Sequence, residues 1–211
     1  AHNATNAALA VAVARLLEVS DDDIARGLAN ALPPDMRMTR WTIHGVEVFN
    51  DAYNASPEST AAAIRTFCEL THGAKRRVVV FGDMLELGDH AADAHREVGD
   101  LLADAGDSRF GAPVDHVICV GQHALYTAER LLRDWNDDRI TMVSDAKEAN
   151  ALAIARLLQP GDAVLLKGSR RTALERVEQA LRNLADNRIP TPDRMTRHLS
   201  GGRPDPLASA G

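Results

Sequence analysis

Residues Arg77–Gly88 read RVVVFGDMLELG, and the first half of this stretch decides the fold. Val78, Val79, Val80 and Phe81 form an unbroken apolar run that stops at Gly82 and Asp83. A short apolar run rich in β-branched residues and ended by glycine is a strand buried on both faces, the pattern of a parallel sheet. Gly88, Asp89 and a helical pattern follow. In an open α/β sheet, ligands bind in the crevice beyond the carboxyl ends of the strands. Gly82 is therefore expected to turn the chain at such a crevice, with Asp83 and Glu86 as acids near it. Glycine and aspartate alone also fit an ordinary βα turn.

The same rhythm repeats outward from this stretch. Strands are predicted at 77–81, 116–120, 140–143 and 163–166. Helices are predicted at about 91–105, 123–134, 145–158 and 172–185. Strands alternating with helices mean βαβ units and a parallel sheet with right-handed crossovers. The expected class is α/β, a Rossmann-like, mostly parallel sheet flanked by helices. Upstream, Trp41, Ile43, Val46, Val48 and Phe49 flank His44-Gly45, which predicts two short strands and a turn. A loop at 50–57 follows, and then a helix at about 58–70, capped by Ser56 with Pro57 in its first turn.

The N-terminal segment differs. Residues 3–18 read as an alanine-rich helix, expected to be mostly buried, with Asn3 as its N-cap. Ser20 and Asp23 resemble a capping box before a second helix that carries Ile24, Leu28 and Ala31 on one side. That helix is expected to run to about Leu32, where Pro33-Pro34 stops it. Three regions are expected: 1–36, a domain at 37–187, and a tail at 188–211. The tail is rich in proline and glycine, and its composition predicts disorder.

Composition narrows the function classes. The chain has 211 residues, 45% of them apolar, and a formal net charge of −6. A general nucleic-acid binder would need a basic face. No apolar run approaches the roughly 20 residues of a membrane span, and no signal segment opens the chain, so a cytoplasmic, monomeric protein is the expectation. Cys68 and Cys119 lack metal or redox spacing and are expected to be reduced core thiols. The chain opens without an initiator methionine and reads as a piece of something longer. It contains no GxxxxGK[ST] loop, no GxGxxG fingerprint, no HExxH and no Gly-x-Ser-x-Gly elbow. His90 and His95 lie about 140° apart around a helix, which is poor metal geometry, and both are expected to be solvated.

Four polar clusters at element ends remain. Asn3 and Asn6 can share one side of a helix start, where their amides could read an adenine edge or simply cap the helix. Arg37 follows the two prolines. In Asn50–Glu58, Asp51 can accept hydrogen bonds from ribose hydroxyls, Tyr53 and Asn54 can line a cleft, and an Asx-type turn is the alternative. Lys167, Ser169 and Arg170 surround a glycine at a strand end before a helix, which fits a local anion site or a solvated turn.

Several of these stretches share one resemblance. GDMLELG at 82–88 resembles the GDMxELG signature of the MurF-type Mur ligases of bacterial cell-wall synthesis. HNATN at 2–6 is similar to their HNxxN motif, NDAYNASPES at 50–59 to DDSYNANPDS, and LLKGSR at 165–170 to LVKGSR. The motifs stand in family order. Asn50 and Ser56 depart from the second pattern, and Asp35-Met36 departs from the linker pattern before Arg37. The resemblance implies nucleotide contacts for Asn3, Asn6, Arg37 and Asp51. It implies substrate or phosphate contacts for Tyr53, Asn54, Lys167, Ser169 and Arg170, and no complete catalytic set in this chain. It also implies an ATP- and Mg2+-dependent ligase joining D-alanyl-D-alanine to UDP-MurNAc-tripeptide through an acyl phosphate. On that account residues 1–36 are the last helices of a central ATPase domain. The phosphate loop and metal ligands would lie upstream, and the piece alone would be inactive. Another Mur ligase, a folylpolyglutamate synthetase and a non-catalytic nucleotide-binding α/β module stay open as alternatives.

Overall fold

The computed structural model describes residues 2–31 and 35–188, without the side chains at 2, 3 and 185–188. Helices α1 (His2–Leu16) and α2 (Asp21–Ala29) lead into the hairpin β1 (Thr39–Ile43) and β2 (Val46–Asp51). There follow α3 (Pro57–Leu70), β3 (Arg76–Gly82), α4 (Ala91–Gly106), β4 (His116–Val120) and α5 (Ala124–Leu131). The chain continues through β5 (Ile140–Val143), α6 (Glu148–Leu157), β6 (Asp162–Lys167) and α7 (Glu175–Arg188).

One six-stranded sheet runs in the order β1-β2-β6-β3-β4-β5. Only β1 is antiparallel, paired to β2 through the turn at His44 and Gly45. Both turn residues have positive φ, 49° and 76°, as the twist of a two-residue hairpin demands. From β3 the chain steps outward through β4 and β5. It then returns to insert β6 between β2 and β3, parallel to both. Chain order therefore reverses beside β6, and this is where an open α/β sheet forms its crevice.

Alternation along the central strands divides the core. Val79, Phe81, Val117, Cys119 and Leu165 pack with Ile64, Phe67, Val98, Leu102 and Leu131 of α3, α4 and α5. Val78, Val80, Ile118, Val120, Val164 and Leu166 pack with Ile154, Val177 and Leu181 of α6 and α7. Both faces of the sheet are thus covered, which is why β3 reads as continuous apolar sequence. Cys68 and Cys119 are free and buried. Burial pushes their thiols up to about 11 and about 12, so they stay protonated and inert.

The predicted strands and helices are present, with shifted ends. The last helix starts later than expected because 170–172 form a 3-10 turn and Ala173 takes φ 55°. It continues through Arg188, past the expected stop; residues 189–211, and with them the predicted disordered tail, lie outside the described residues. The second helix ends at Ala29 rather than near Leu32, and Leu32–Pro34 lie outside the described residues. Ser20 does cap it, its hydroxyl oxygen accepting from the Asp23 N–H at 3.2 Å, and Ser56 and Ser59 form a reciprocal capping box on α3.

Burial of α1 differs from expectation. Its apolar side chains Leu9, Val13 and Leu16 are exposed, Leu16 by 83%, and α2 buries no residue. Neither helix contributes to the two core clusters. Asn3 lies inside the first turn of α1 rather than at its cap, since the helix already includes His2.

Candidate functional site

The carboxyl ends of β2, β6 and β3 carry three of the clusters read from the sequence. Register puts Asp51 opposite Lys167, and Lys167 opposite Phe81, one residue before Gly82. The three ends border one open cleft of about 1060 Å³. Asp35, Met36, Trp41, Tyr53, Asn54, Glu86 and Arg170 are among its lining residues.

Asp51 is held from two sides. Its Oδ1 accepts from the Met38 N–H at 3.0 Å, and its Oδ2 pairs with Lys167 Nζ at 2.9 Å. A carboxylate has about four lone-pair sites, so this partly exposed side chain keeps acceptor capacity beyond these two partners. Lys167 is only 1% exposed. Its ammonium donates to the backbone carbonyls of Asp51 and Asn54 as well, which uses its three donors. The expected substrate contact by Lys167 is therefore corrected: the side chain ties β6 to the Asp51–Asn54 loop and does not reach the opening.

Ser169 is corrected in the same way. It is buried, its Oγ accepts from the Leu85 N–H at 3.0 Å, and its own N–H donates to Asp83 O at 3.0 Å. The KGSR corner thus fastens the GDMLELG turn. Their glycines meet at close range: a Cβ on Gly168 would lie 3.1 Å from Gly82 Cα, and one on Gly82 would lie 2.7 Å from Thr172 Cγ2. Arg170 alone of the three is exposed and lines the cleft, against the sulfur of Met36.

Asp83 is likewise a tie rather than a free acid. Its carboxylate accepts from the Gln122 and Ala124 N–H groups at 3.2 and 2.8 Å, where it satisfies the start of α5. Glu86, by contrast, lines the cleft, together with Asp35, Glu175 and Glu178. Tyr53 is 47% exposed, and the Arg37 guanidinium lies 4.6 Å over its ring, a cation–π contact that brings Arg37 to the cleft edge. Asn54 lines the cleft, and its backbone carbonyl accepts from Lys167. Asn6 is exposed on α1 and is not among the cleft residues, and the Asn3 side chain lies outside the described residues.

His95 is a residue the sequence reading misplaced. His90 is exposed as expected, but His95 is fully buried. Its Nε2 accepts from the Met84 N–H at 3.0 Å and its Nδ1 faces Ala91 O at 2.7 Å, which requires the neutral Nδ1–H tautomer. Burial pushes its pKa below the usual value. The bond to Ala91 and the Asp83 carboxylate oppose that shift, and His123 reinforces it. The only available signal was an i+4 relation to Ala91 on the helix facing β3, which its charge-prone side chain obscured. Asn50, replaced in the pattern, donates to Glu178 at 2.9 Å and accepts from the Ala52 N–H at 3.1 Å, fixing the loop to α7.

Among the described residues no group of three or more His, Cys, Asp or Glu could hold a metal ion, and no helix is long and apolar enough to cross a membrane.

Comparison with known proteins gives these observations a family. Residues 36–170 match the Mur ligase, glutamate ligase domain. A UDP-N-acetylmuramoyl-tripeptide--D-alanyl-D-alanine ligase of Bacillus subtilis is 33% identical over 181 residues, 85% of this chain and 38% of that protein. MurF from Acinetobacter baumannii shares the fold with a TM-score of 0.68 and 32% identity, covering 86% of this chain and 38% of its own. MurF from Thermotoga maritima, solved in complex with ADP, gives 0.59 and 26%, covering 85% and 37%. The chain thus spans less than two fifths of each of these relatives. With the domain match covering most of the chain, this protein belongs to the Mur ligase family, and it resembles the MurF type within it.

Proposed function

We propose that this chain supplies one wall of the active site of an ATP-dependent ligase that adds D-alanyl-D-alanine to UDP-MurNAc-tripeptide. The observation that carries the reading is the shared rim: Asn50, Tyr53 and Asn54 on either side of Asp51, Glu86 of the GDMLELG turn and Arg170 all line one open cleft. On this reading ATP phosphorylates the terminal carboxylate of the tripeptide. The amine of the dipeptide then attacks the acyl phosphate, and the tetrahedral intermediate collapses to an amide and phosphate. An acyl phosphate must be shielded from water, and closure of a second domain over an open cleft does that.

The chain's own residues have limited parts. Asp51, fixed by Lys167 and Met38, accepts from a nucleotide hydroxyl. Arg37, resting on Tyr53, offers a cation to the nucleotide at the cleft edge. Asn54 and Arg170 face the amino substrate. Residues 1–36 belong to the central ATPase domain, and the exposed Leu9, Val13 and Leu16 of α1 support a covering layer from that domain. Asn3 and Asn6 meet adenine there. Magnesium, like the phosphate loop, is held mainly by parts of the enzyme outside this chain. The reading places the protein in the cytoplasm, where these nucleotide substrates are made, and as a monomer.

The test is a fusion of this chain behind the N-terminal and central regions of the Bacillus subtilis relative. The expected result is ligation of D-alanyl-D-alanine to UDP-MurNAc-tripeptide with release of ADP and phosphate, and no turnover by the 211-residue chain alone. Transfer of a different amino substrate by the fusion, or turnover by the isolated chain, overturns the proposal.

A further inference from the structure

The turn between β3 and α4 is pinned at three consecutive residues. Asp83 O accepts from the Ser169 N–H, the Met84 N–H donates to His95 Nε2, and the Leu85 N–H donates to Ser169 Oγ. The Asp83 carboxylate adds two bonds to the start of α5. The next residue, Glu86, has φ 67°. A left-handed conformation costs a residue other than glycine about 1–2 kcal/mol, and such strain persists only where the surroundings over-determine it. Here the surroundings do, and the strained side chain is exposed in the cleft.

Three acids near the rim are engaged: Asp51 pairs with Lys167, Asp83 caps α5, and Glu178 accepts from Asn50 and Arg182. Asp35 and Glu175 also line the cleft, but among its acids only Glu86 stands on the pinned turn in a left-handed conformation. Glu86 makes no hydrogen bond or ion pair among the described residues, and it shares the cleft with the exposed Arg170. A carboxylate and a guanidinium displayed in one cleft suit a small zwitterion, with the ammonium at one pole and the carboxylate at the other.

We infer that Glu86 receives the ammonium group of the amino substrate, and that His95 positions it by holding Met84. This rests on the reading of the chain as part of an amino-substrate ligase. An α-amino group has a pKa near 8, so the dipeptide arrives as an ammonium, and a fixed carboxylate orients it before it is deprotonated. His95 contributes a neutral acceptor that water does not reach. The charged or titratable groups around its ring are the Asp83 carboxylate and His123, whose ring centroid is 5.7 Å away. The Phe81 ring lies tilted against it, centroid to centroid 5.7 Å, and Thr127 donates to the His95 carbonyl.

The experiment is a titration of the isotope-labelled 211-residue chain followed by its backbone amide signals. The probes are D-alanyl-D-alanine, N-acetyl-D-alanyl-D-alanine and glycylglycine. Free D-alanyl-D-alanine is expected to shift the Met84–Leu87 amides and to bind at least about tenfold more tightly than its acetylated form. E86Q is expected to bring the two affinities together without disturbing the remaining signals. H95Q is expected to do the same and, in addition, to speed hydrogen exchange at Met84. The ratio of free to acetylated affinity is a readout that a purely structural role for His95 would leave unchanged. Should H95Q fail to fold, E86Q decides the matter, because Glu86 is exposed. Equal binding of free and acetylated dipeptide, an unchanged ratio in E86Q, or no response at residues 84–87 overturns the inference. Glycylglycine separates the two readings: binding at the turn as tight as that of D-alanyl-D-alanine removes support from the dipeptide assignment and leaves Glu86 as the ammonium receptor.

Discussion

Lys167 Nζ lies 2.9 Å from Asp51 Oδ2, across two parallel strands that the chain separates by more than a hundred residues. The pair is buried on the lysine side, and it fixes the one acid of the cleft rim to which nucleotide contact is assigned. Removing one partner of a buried pair leaves an uncompensated charge, whereas removing both does not.

K167M is therefore expected to lower stability by roughly 3–5 kcal/mol, while a K167M/D51L double variant loses clearly less than the sum of the single changes. Urea denaturation of the four proteins in the cycle measures this. A loss in the double variant equal to the sum of the two single losses would show that the pair is not coupled.

Stability should fall on the acid side, and His95 should be one cause. Burial lowers its folded-state pKa below the unfolded value near 6.5. Between those two values the unfolded chain binds a proton that the native protein does not, so stability rises with pH through that window. The contribution is complete above about pH 6.5 and is lost as pH falls toward the folded value. His116, lowered first by burial and then by Arg76, acts with the same sign. H95Q is expected to flatten part of the slope of the urea midpoint against pH and leave the His116 part. An unchanged slope would mean that His95 binds its proton equally in the folded and unfolded states.

Gly121 sits at φ 115°, and a Cβ there would lie 2.4–2.5 Å from the Asp83 carboxylate. Gly121→Ala combines a strained backbone with displacement of the group that caps α5. The expected cost is about 2–3 kcal/mol by thermal or urea unfolding, with changed amide signals at Gln122 and Ala124. A neutral effect would show that the Asp83 side chain moves aside freely.

Glu86→Gly is expected to act in opposite directions on stability and binding. Glycine takes the left-handed conformation without the Cβ penalty, so stability should rise by about 0.5–1 kcal/mol. Discrimination of free from acetylated dipeptide should vanish. A loss of stability would mean that the Glu86 side chain carries a stabilising contact.

Particular residues show how far the sequence could be read. The run Val78–Phe81 announced a buried parallel strand, because nothing else in a small domain needs four successive apolar residues ended by glycine. Ser56-Pro57 announced the start of α3, because its capping chemistry is local. The motif stretches at 50–59, 82–88 and 165–170 announced which segments would meet at one rim, because the ends of parallel strands converge by topology. The apolar face of α1 promised burial, but its pattern describes a partner surface, and the two core clusters of this chain do not supply it.

The sequence by itself determined the class, the alternation of strands and helices, and the segments that meet at the rim, since periodicity, caps and turns act over a few residues. Only the tertiary structure decided which side chains on that rim are ties and which face outward. Lys167, Ser169 and Asp83 carry the chemistry of ligands but spend it on partners far along the chain, at Asp51, Leu85 and Ala124. His95, which reads as a surface residue, is an interior acceptor for Met84. A polar side chain is satisfied by whatever the fold brings beside it, and no local pattern encodes a neighbour set by strand insertion.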